Sequence, residues 1–287
     1  MKVVLFCGGL GTRLREHSER IPKPLVNIGC RPILWHLMRY YAHFGHKDFI
    51  LCLGYRGDLI REFFLTYNEC MSNDFVLSAG GRKVELLTSD VQDWRITFVD
   101  TGLHANIGQR LLRVRRHLAG EKAFLANYAD GLSDHPLDRQ ILDFERRGVT
   151  ASFVAVRPAH SFHGVQSDDG GLVTAFGAMR DVGFSINAGF FCLSADIFEY
   201  VAEGDELVEQ PFQRLIARRQ LALFRHDGFW QPMDTFKDKM AFDSMDAQGE
   251  CPWMLWKQDE GTREHGRVRR APVQAVAGAR SLHHAKA

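Results

Sequence analysis

The sequence predicts an α/β protein built on an open sheet, mixed but mostly parallel, with helices on both faces and a smaller β-rich extension. Three observations predict it. The chain opens on a continuous apolar, β-branched-rich run that ends in glycines, as a strand buried on both faces does. Apolar runs and amphipathic helical periods then alternate through about residue 150. From Val149 onward the long helical periods give way to short apolar runs separated by Gly/Asp turns.

Val3 to Cys7 is the opening strand, closed by Gly8-Gly9. Ile33, Leu34, Leu37, Tyr40, Tyr41 and Phe44 recur at helical spacing, with Pro32 at the helix start and Gly45 where a C-terminal glycine belongs. Phe49 to Leu53 is a second buried strand ended by Gly54, and Asp58 is expected to cap the helix that carries Ile60 and Phe63-Phe64. The rhythm continues with a strand at Ile96–Val99, a short helix around Leu111–Leu118, a strand at Ala123–Asn127 and a helix over Leu137–Arg147. Ala151–Val156, Leu172–Phe176 and Ala188–Leu193 are expected to extend the sheet in mixed or antiparallel fashion. Beyond about Gly261 the chain is rich in Arg, Ala and His without an apolar period, which reads as a disordered basic tail.

With 287 residues, 45% hydrophobic and 25% charged, the chain is long enough to bury a full core as one large domain. Its net charge of +1 supplies no long-range field to gather nucleic acid or an anionic membrane, so an anionic ligand must be held by local groups in a pocket. Six cysteines without a CxxC pair fit a reducing cytoplasm, and the short apolar opening does not read as a signal peptide. His283-His284 reads as part of a solvated tail rather than a metal site.

Gly8-Gly9-Leu10-Gly11-Thr12-Arg13-Leu14 follows the first strand directly and brings several backbone N–H groups and one arginine to the carboxyl edge of the sheet. It is neither a Walker loop, lacking Gly-Lys-Ser/Thr, nor a dinucleotide fingerprint, because Leu14 stands where the last glycine belongs. Taken alone, such a loop also fits plain turn-making. Ten residues on, Pro22-Lys23-Pro24 fixes the backbone around one lysine and makes it a positioned cation.

These two segments together resemble the opening of the sugar-1-phosphate nucleotidyltransferases. Ile33-Leu34-Trp35-His36, Val99-Asp100-Thr101-Gly102 and Gly228-Phe229-Trp230-Gln231-Pro232-Met233-Asp234-Thr235 resemble the glucose-1-phosphate cytidylyltransferase branch of that family. The resemblance runs to about residue 257. It implies the Rossmann-like nucleotidyltransferase sheet as a single domain over 1–257, with a nucleotide-binding half over about 1–148 and an acceptor-binding half over about 149–257, followed by the tail at 258–287. It implies a cytoplasmic, Mg²⁺-dependent enzyme that joins CTP to a phosphorylated small molecule and forms an assembly of identical chains, with neither nucleic acid nor membrane as partner.

Residue by residue, the resemblance implies that Asp130 and Asp234 hold Mg²⁺, a pair of carboxylates suited to a hard cation that also binds substrate phosphates. Arg13, Lys23 and Asp130 would be catalytic. Phe6, Cys7, Gly8, Gly9, Leu10, Gly11, Thr12, Arg13, Lys23, Gly102 and Arg110 would hold the nucleotide, and Asn187, Gly189, Arg180 and Trp230 the acceptor. A phosphate monoester is largely dianionic at neutral pH, its second pKa being about 6, so attack on the α-phosphorus requires no dedicated base. Positioning and charge neutralisation are what the protein supplies.

Two departures from the family pattern stand out. Where the family reads Phe-x-Glu-Lys-Pro, this chain reads Phe176-Gly177-Ala178-Met179-Arg180-Asp181, so Met179 replaces the lysine that holds the acceptor phosphate. Arg180 is one position away, on the opposite face of an extended strand. Where the family loop ends in Thr-Gly-Gly-Arg, this chain has Ile107-Gly108-Gln109-Arg110. The acceptor is therefore expected to differ from glucose 1-phosphate. The alternatives are a UTP- or dTTP-dependent transferase, a non-catalytic nucleotide-binding regulator and, by fold analogy alone, a dinucleotide-dependent oxidoreductase.

Overall fold

The structure is a computed structural model and describes residues 1–9, 21–157, 163–178 and 184–257. In chain order its strands are β1 (Val3–Phe6), β2 (Asn27–Ile28), β3 (Arg31–Pro32), β4 (Asp48–Leu53), β5 (Phe75–Ser78), β6 (Lys83–Leu86), β7 (Arg95–Asp100), β8 (Ala123–Asn127), β9 (Gly131–Ser133), β10 (Ala151–Val156), β11 (His163–Ser167), β12 (Val173–Ala178), β13 (Ile186–Ser194), β14 (Leu221–His226) and β15 (Trp230–Pro232). The helices are α1 (Ile33–His43), α2 (Gly57–Leu65), α3 (Ile107–Val114), α4 (Leu137–Arg147), α5 (Gln210–Ala217) and α6 (Phe236–Gln248).

Seven strands form the main sheet in the order β14-β10-β13-β8-β1-β4-β7. β1 runs parallel to both neighbours, β4 and β8, and β7 continues the parallel array. β13 is the strand that reverses direction, pairing antiparallel with β8 and β10. The first half is therefore parallel and the extension mixed, as the change in sequence texture at Val149 predicts, but β12, which covers most of the expected Leu172–Phe176 strand, pairs with β11 as a separate ribbon and does not extend the main sheet.

The opening run is apolar at every position because each face of β1 meets its own core. Successive side chains on a strand point to opposite faces. Val3 and Leu5 pack with Leu34, Leu37, Met38 and Tyr41 of α1, while Val4 and Phe6 pack with Leu111 and Val114 of α3 and with Phe212 and Leu215 of α5. β4 repeats the division, with Phe49, Leu51 and Leu53 on the α1 side and Ile50 and Cys52 on the α3 side.

β1 is also where the sheet order turns. The chain passes from β1 to β4 on one side, while β8 lies on the other, so the segments leaving the carboxyl ends of β1 and β8 diverge and open a crevice between them. Gly8-Gly9 leaves β1 there and Tyr128-Ala129-Asp130 leaves β8 there.

Several elements differ from the sequence reading. Asp58 lies inside the first turn of α2; the capping position is Arg56, in left-handed geometry at φ 46° with no side-chain cap, and Asp58 pairs with its guanidinium at 3.5 Å. α3 begins at Ile107, four residues before the expected helix, because Asn106 and Gln109 form a reciprocal capping box. The β5–β6 hairpin, every residue of which is exposed, interrupts the strand–helix alternation. The expected tail, with His283-His284, lies outside the described residues, and no helix among the described residues is long and apolar enough to cross a membrane.

The Ile33-Leu34-Trp35-His36 segment forms the buried start of α1. His36 is 2% exposed. Its Nε2 faces the Ile28 carbonyl at 3.1 Å and its Nδ1 accepts from the Trp253 indole N–H at 3.3 Å, so the ring is held neutral with its hydrogen on Nε2. Burial pulls its pKa down to about 4 and that of the buried His135 down to about 3. A histidine whose folded pKa lies below its unfolded value of about 6.5 binds its proton in the unfolded chain first, so stability falls as pH drops below about 6.5. Urea unfolding at fixed temperature should show this loss between pH 6.5 and 4. In His36→Asn the protein should be less stable at pH 7 but lose less on acidification; an unchanged slope would remove His36 from the acid response.

Candidate active site

The crevice at the switch point collects three of the charged groups that the sequence singles out, Lys23, Asp130 and Asp234. Pro22-Lys23-Pro24 forms one 3₁₀ turn over Lys23–Leu25, with Pro22 at φ −67° and ψ 146°. This geometry carries the Lys23 ammonium into the crevice, where it donates to Asp130 Oδ2 at 2.8 Å and to Asp234 Oδ1 at 2.6 Å. Only 12% of the lysine side chain is exposed, against 31% and 35% for the two aspartates. One cation thus bridges two carboxylates that lie 107 and 211 residues from it in sequence.

Asp130 is delivered by a strained turn. Ala129 has φ 65°, the left-handed region that a residue with a Cβ occupies at a cost of about 1–3 kcal/mol. Its N–H is held by the Asn127 side chain at 3.1 Å. Asp234 arrives from β15, which pairs antiparallel with β9, and the Met233 N–H donates to the Asp130 carbonyl at 2.8 Å.

Burial opposes charge on both sides of this cluster. It pulls the Lys23 pKa down, but the charge of Asp130 and the hydrogen bonds to both carboxylates outweigh it, and the net shift is upward. For Asp130 burial also acts first and raises the carboxyl pKa; Asp234 adds to that rise, and Lys23 offsets it only in part. An acid with a raised folded-state pKa loses stability as pH rises through that pKa, so the ionised pair is held against its own solvation.

Arg110 takes a different place from the one the family resemblance implies. Its guanidinium lies beneath the glycine segment and is 3% exposed. Nη1 donates to the Leu53 carbonyl at 3.1 Å, the Thr101 hydroxyl at 2.7 Å and the Gly102 carbonyl at 3.0 Å; Nη2 donates to the Gly8 carbonyl at 2.9 Å and the Leu103 carbonyl at 3.4 Å. It therefore ties together the carboxyl ends of β1, β4 and β7. Gly8 is glycine for this reason, since a Cβ there would lie 2.0 Å from Arg110 Nη1. Thr101 completes the brace by donating its hydroxyl to the Leu53 carbonyl at 2.7 Å.

Among the other expected nucleotide contacts, the Phe6 and Cys7 side chains are in the core, which leaves only their backbone atoms for a ligand. Gly9 is exposed, and Gly102 turns at φ 80° with its N–H on Asp100 Oδ1. Leu10, Gly11, Thr12 and Arg13 lie outside the described residues, as do Met179 and Arg180.

Asn187, Gly189 and Trp230 do come together. The Trp230 indole N–H donates to the Ala188 carbonyl at 2.9 Å, and the Gly189 N–H donates to Asn187 Oδ1 at 2.9 Å. Tyr128, two residues before Asp130 and not among the expected site residues, joins them: Asn187 Nδ2 donates to its hydroxyl at 3.2 Å. Its ring packs so close that a Cβ on Gly189 would lie 2.4 Å away. Of the expected acceptor residues, Asn187, Gly189 and Trp230 thus gather around Tyr128, two residues before Asp130.

A guanidinium that serves five acceptors cannot be replaced by an ammonium with three donors. Arg110→Lys should therefore lower the unfolding free energy by more than about 2 kcal/mol in denaturant titration. A variant of wild-type stability that has lost nucleotide affinity would instead place the guanidinium on the ligand.

No family model matches the chain. It is 37% identical over 258 residues to the glucose-1-phosphate cytidylyltransferase of Salmonella typhi, a match covering 90% of this chain and 100% of the relative. It is 36% identical to the "probable glucose-1-phosphate cytidylyltransferase" of Bacillus subtilis, covering 89% and 100%. Among solved structures, a UDP-glucose pyrophosphorylase bound to UDP-glucose superposes with a TM-score of 0.64 over 86% of this chain and 98% of its own, at 14% identity, a likeness of fold alone. The mixed, mostly parallel sheet is the nucleotidyltransferase fold, and the chain belongs to the glucose-1-phosphate cytidylyltransferase family of sugar-1-phosphate nucleotidyltransferases.

Proposed function

We propose that this nucleotidyltransferase transfers the cytidylyl group of CTP to the phosphate of a sugar 1-phosphate, or a related phosphorylated small molecule, other than glucose 1-phosphate. The observation that carries the reading is the ammonium of Lys23 held between Asp130 and Asp234 in the switch-point crevice, beside the glycine segment. The relatives of about one-third identity that bear the cytidylyltransferase name support CTP as donor. The replacement of the family lysine by Met179 supports a changed acceptor.

Asp130 and Asp234 fit Mg²⁺. Their oxygens already converge on one cation, and two carboxylates with the remaining positions left to phosphate oxygens and water is the usual Mg²⁺ arrangement. Among the described residues no group of three or more His, Cys, Asp or Glu side chains gathers to form a cage for another metal. When bound, the ion supplies charge neutralisation at the phosphates.

In the reaction an acceptor phosphate oxygen bonds to the α-phosphorus as the bond from that phosphorus to the bridging oxygen of the β-phosphate breaks, and pyrophosphate leaves. Lys23 supplies positive charge where the triphosphate sits. Arg110 keeps the glycine segment and the β4 and β7 ends in fixed relation, which pre-organises the backbone donors. Arg13 and Arg180 are proposed for the triphosphate and the acceptor phosphate respectively.

Pyrophosphate release with each of the four ribonucleoside triphosphates and dTTP, against a panel of sugar 1-phosphates and other phosphomonoesters, tests the assignment. CTP should lead, Asp130→Asn should lose activity by orders of magnitude while remaining folded, and Met179→Lys should raise glucose 1-phosphate turnover about ten- to a hundredfold, the value of one charge-assisted phosphate contact. Preference for UTP or dTTP would overturn the donor. Efficient use of glucose 1-phosphate by the wild type would overturn the acceptor.

A further inference from the structure

The two carboxylates that grip Lys23 stand at one end of a very short ribbon. β9 and β15 pair antiparallel, with Gly131 opposite Pro232, Leu132 opposite Gln231 and Ser133 opposite Trp230. Asp130 precedes the first strand and Asp234 follows the second, so the register of the ribbon sets where the two carboxylates stand relative to each other.

The ribbon is too short to hold that register alone. Each strand has three residues, and a two-stranded ribbon of this length is marginal on its own. Pro232 stands opposite Gly131 in a non-hydrogen-bonded pair, so its missing N–H costs no ladder bond, and at this end the strands are joined by the Met233 N–H on the Asp130 carbonyl at 2.8 Å. A slip of one residue would carry Asp234 about 3.4 Å along the strand. Contacts of 2.6 and 2.8 Å to a single ammonium do not survive such a shift.

A cluster at the opposite end of the ribbon opposes the slip. Asp134 Oδ1 accepts from the Phe229 N–H at 2.8 Å and from His226 Nε2 at 2.8 Å. The Phe229 carbonyl accepts from the Ser133 hydroxyl at 2.7 Å and from the Asp134 N–H at 3.2 Å. His226 Nε2 also faces the Phe229 carbonyl at 3.3 Å; both of its neighbours are acceptors, so this nitrogen carries the hydrogen. Gly228 lies against the pair so tightly that a Cβ would sit 2.6 Å from both Asp134 Oδ1 and the His226 ring.

We propose that Asp134 and His226 are positioning residues of the active site, whose bonds around Phe229 lock the β9–β15 register and thereby set the separation of Asp130 and Asp234. The proposal rests on the transferase reading for its consequence in metal binding, but not for the geometry of the lysine clasp. Asp134 and His226 touch neither Lys23 nor the two carboxylates in any described contact and act through the ribbon.

The test uses the full-length protein and two readouts. The first is the rate at which an amine-acetylating reagent labels Lys23 in metal-free protein, read by peptide mass spectrometry. The second is Mn²⁺ binding, read by electron paramagnetic resonance. Asp134→Ala should label Lys23 about tenfold faster and bind Mn²⁺ at least about tenfold more weakly, the scale of a lost charge-assisted contact. Asp134→Asn should restore both, because its amide oxygen still accepts from the Phe229 N–H. If Asp134→Ala does not fold, His226→Ala carries the same readouts with the Asp134–Phe229 bond intact.

A folded variant with wild-type labelling and wild-type Mn²⁺ affinity would overturn the proposal, even if its melting temperature fell. Failure of the wild type to bind Mn²⁺ would count against the metal-dependent reading instead, and the labelling rates would still decide the positioning role.

Discussion

One ion cluster organises this molecule: an ammonium set between two carboxylates that the chain brings together from three distant segments. Isolated, buried charges are costly, and two carboxylates side by side repel each other. Lys23 makes their approach tolerable, and the raised pKa of Asp130 records that the compensation is incomplete. The cluster therefore carries an electrostatic cost at the switch point. The left-handed Ala129 beside Asp130 is a second cost carried at the same place.

The sheet explains why the cluster forms where it does. β1 is flanked by parallel strands on both sides, so its carboxyl end is a switch point, and the segments leaving β1 and β8 part around the crevice. Arg110 then ties the ends of β1, β4 and β7 through backbone carbonyls. The neutral, desolvated His36 and the aromatic contacts of Trp253 fasten the C-terminal segment to α1, which packs on the face of the sheet below the crevice.

Much of this was legible in the sequence, for physical reasons that differ by element. The central strands read clearly because burial on both faces leaves no polar positions, as in Val3–Phe6 and in the run from Phe49 to Leu53. The start of α3 is not visible in the apolar period, because it is set by the reciprocal capping box of Asn106 and Gln109. α6 gave no period to follow, since Phe242 is its one fully buried residue. The exposed β5–β6 hairpin has apolar residues on no buried face, so alternation carried no information there. At the site, Lys23, Asp130 and Asp234 were visible as motifs, but their mutual contact was not, because sequence separation conceals it. Arg110 was assigned to the nucleotide by the family resemblance alone, and nothing in its local sequence shows that its guanidinium turns to backbone carbonyls. Tyr128 and the Asp134–His226 pair are set by tertiary packing that local spacing does not encode.

The central claim is that Lys23 and the two carboxylates act as one energetic unit. A double-mutant cycle in metal-free buffer measures it, using urea unfolding of the wild type, Lys23→Met, Asp234→Asn and the double variant. The double variant should be more stable than the sum of the single losses implies, with a coupling of about 1 kcal/mol; partial exposure of the aspartate keeps the value at the low end for ion pairs. Strictly additive losses would contradict it, by showing that the ammonium and the carboxylate meet without stabilising each other.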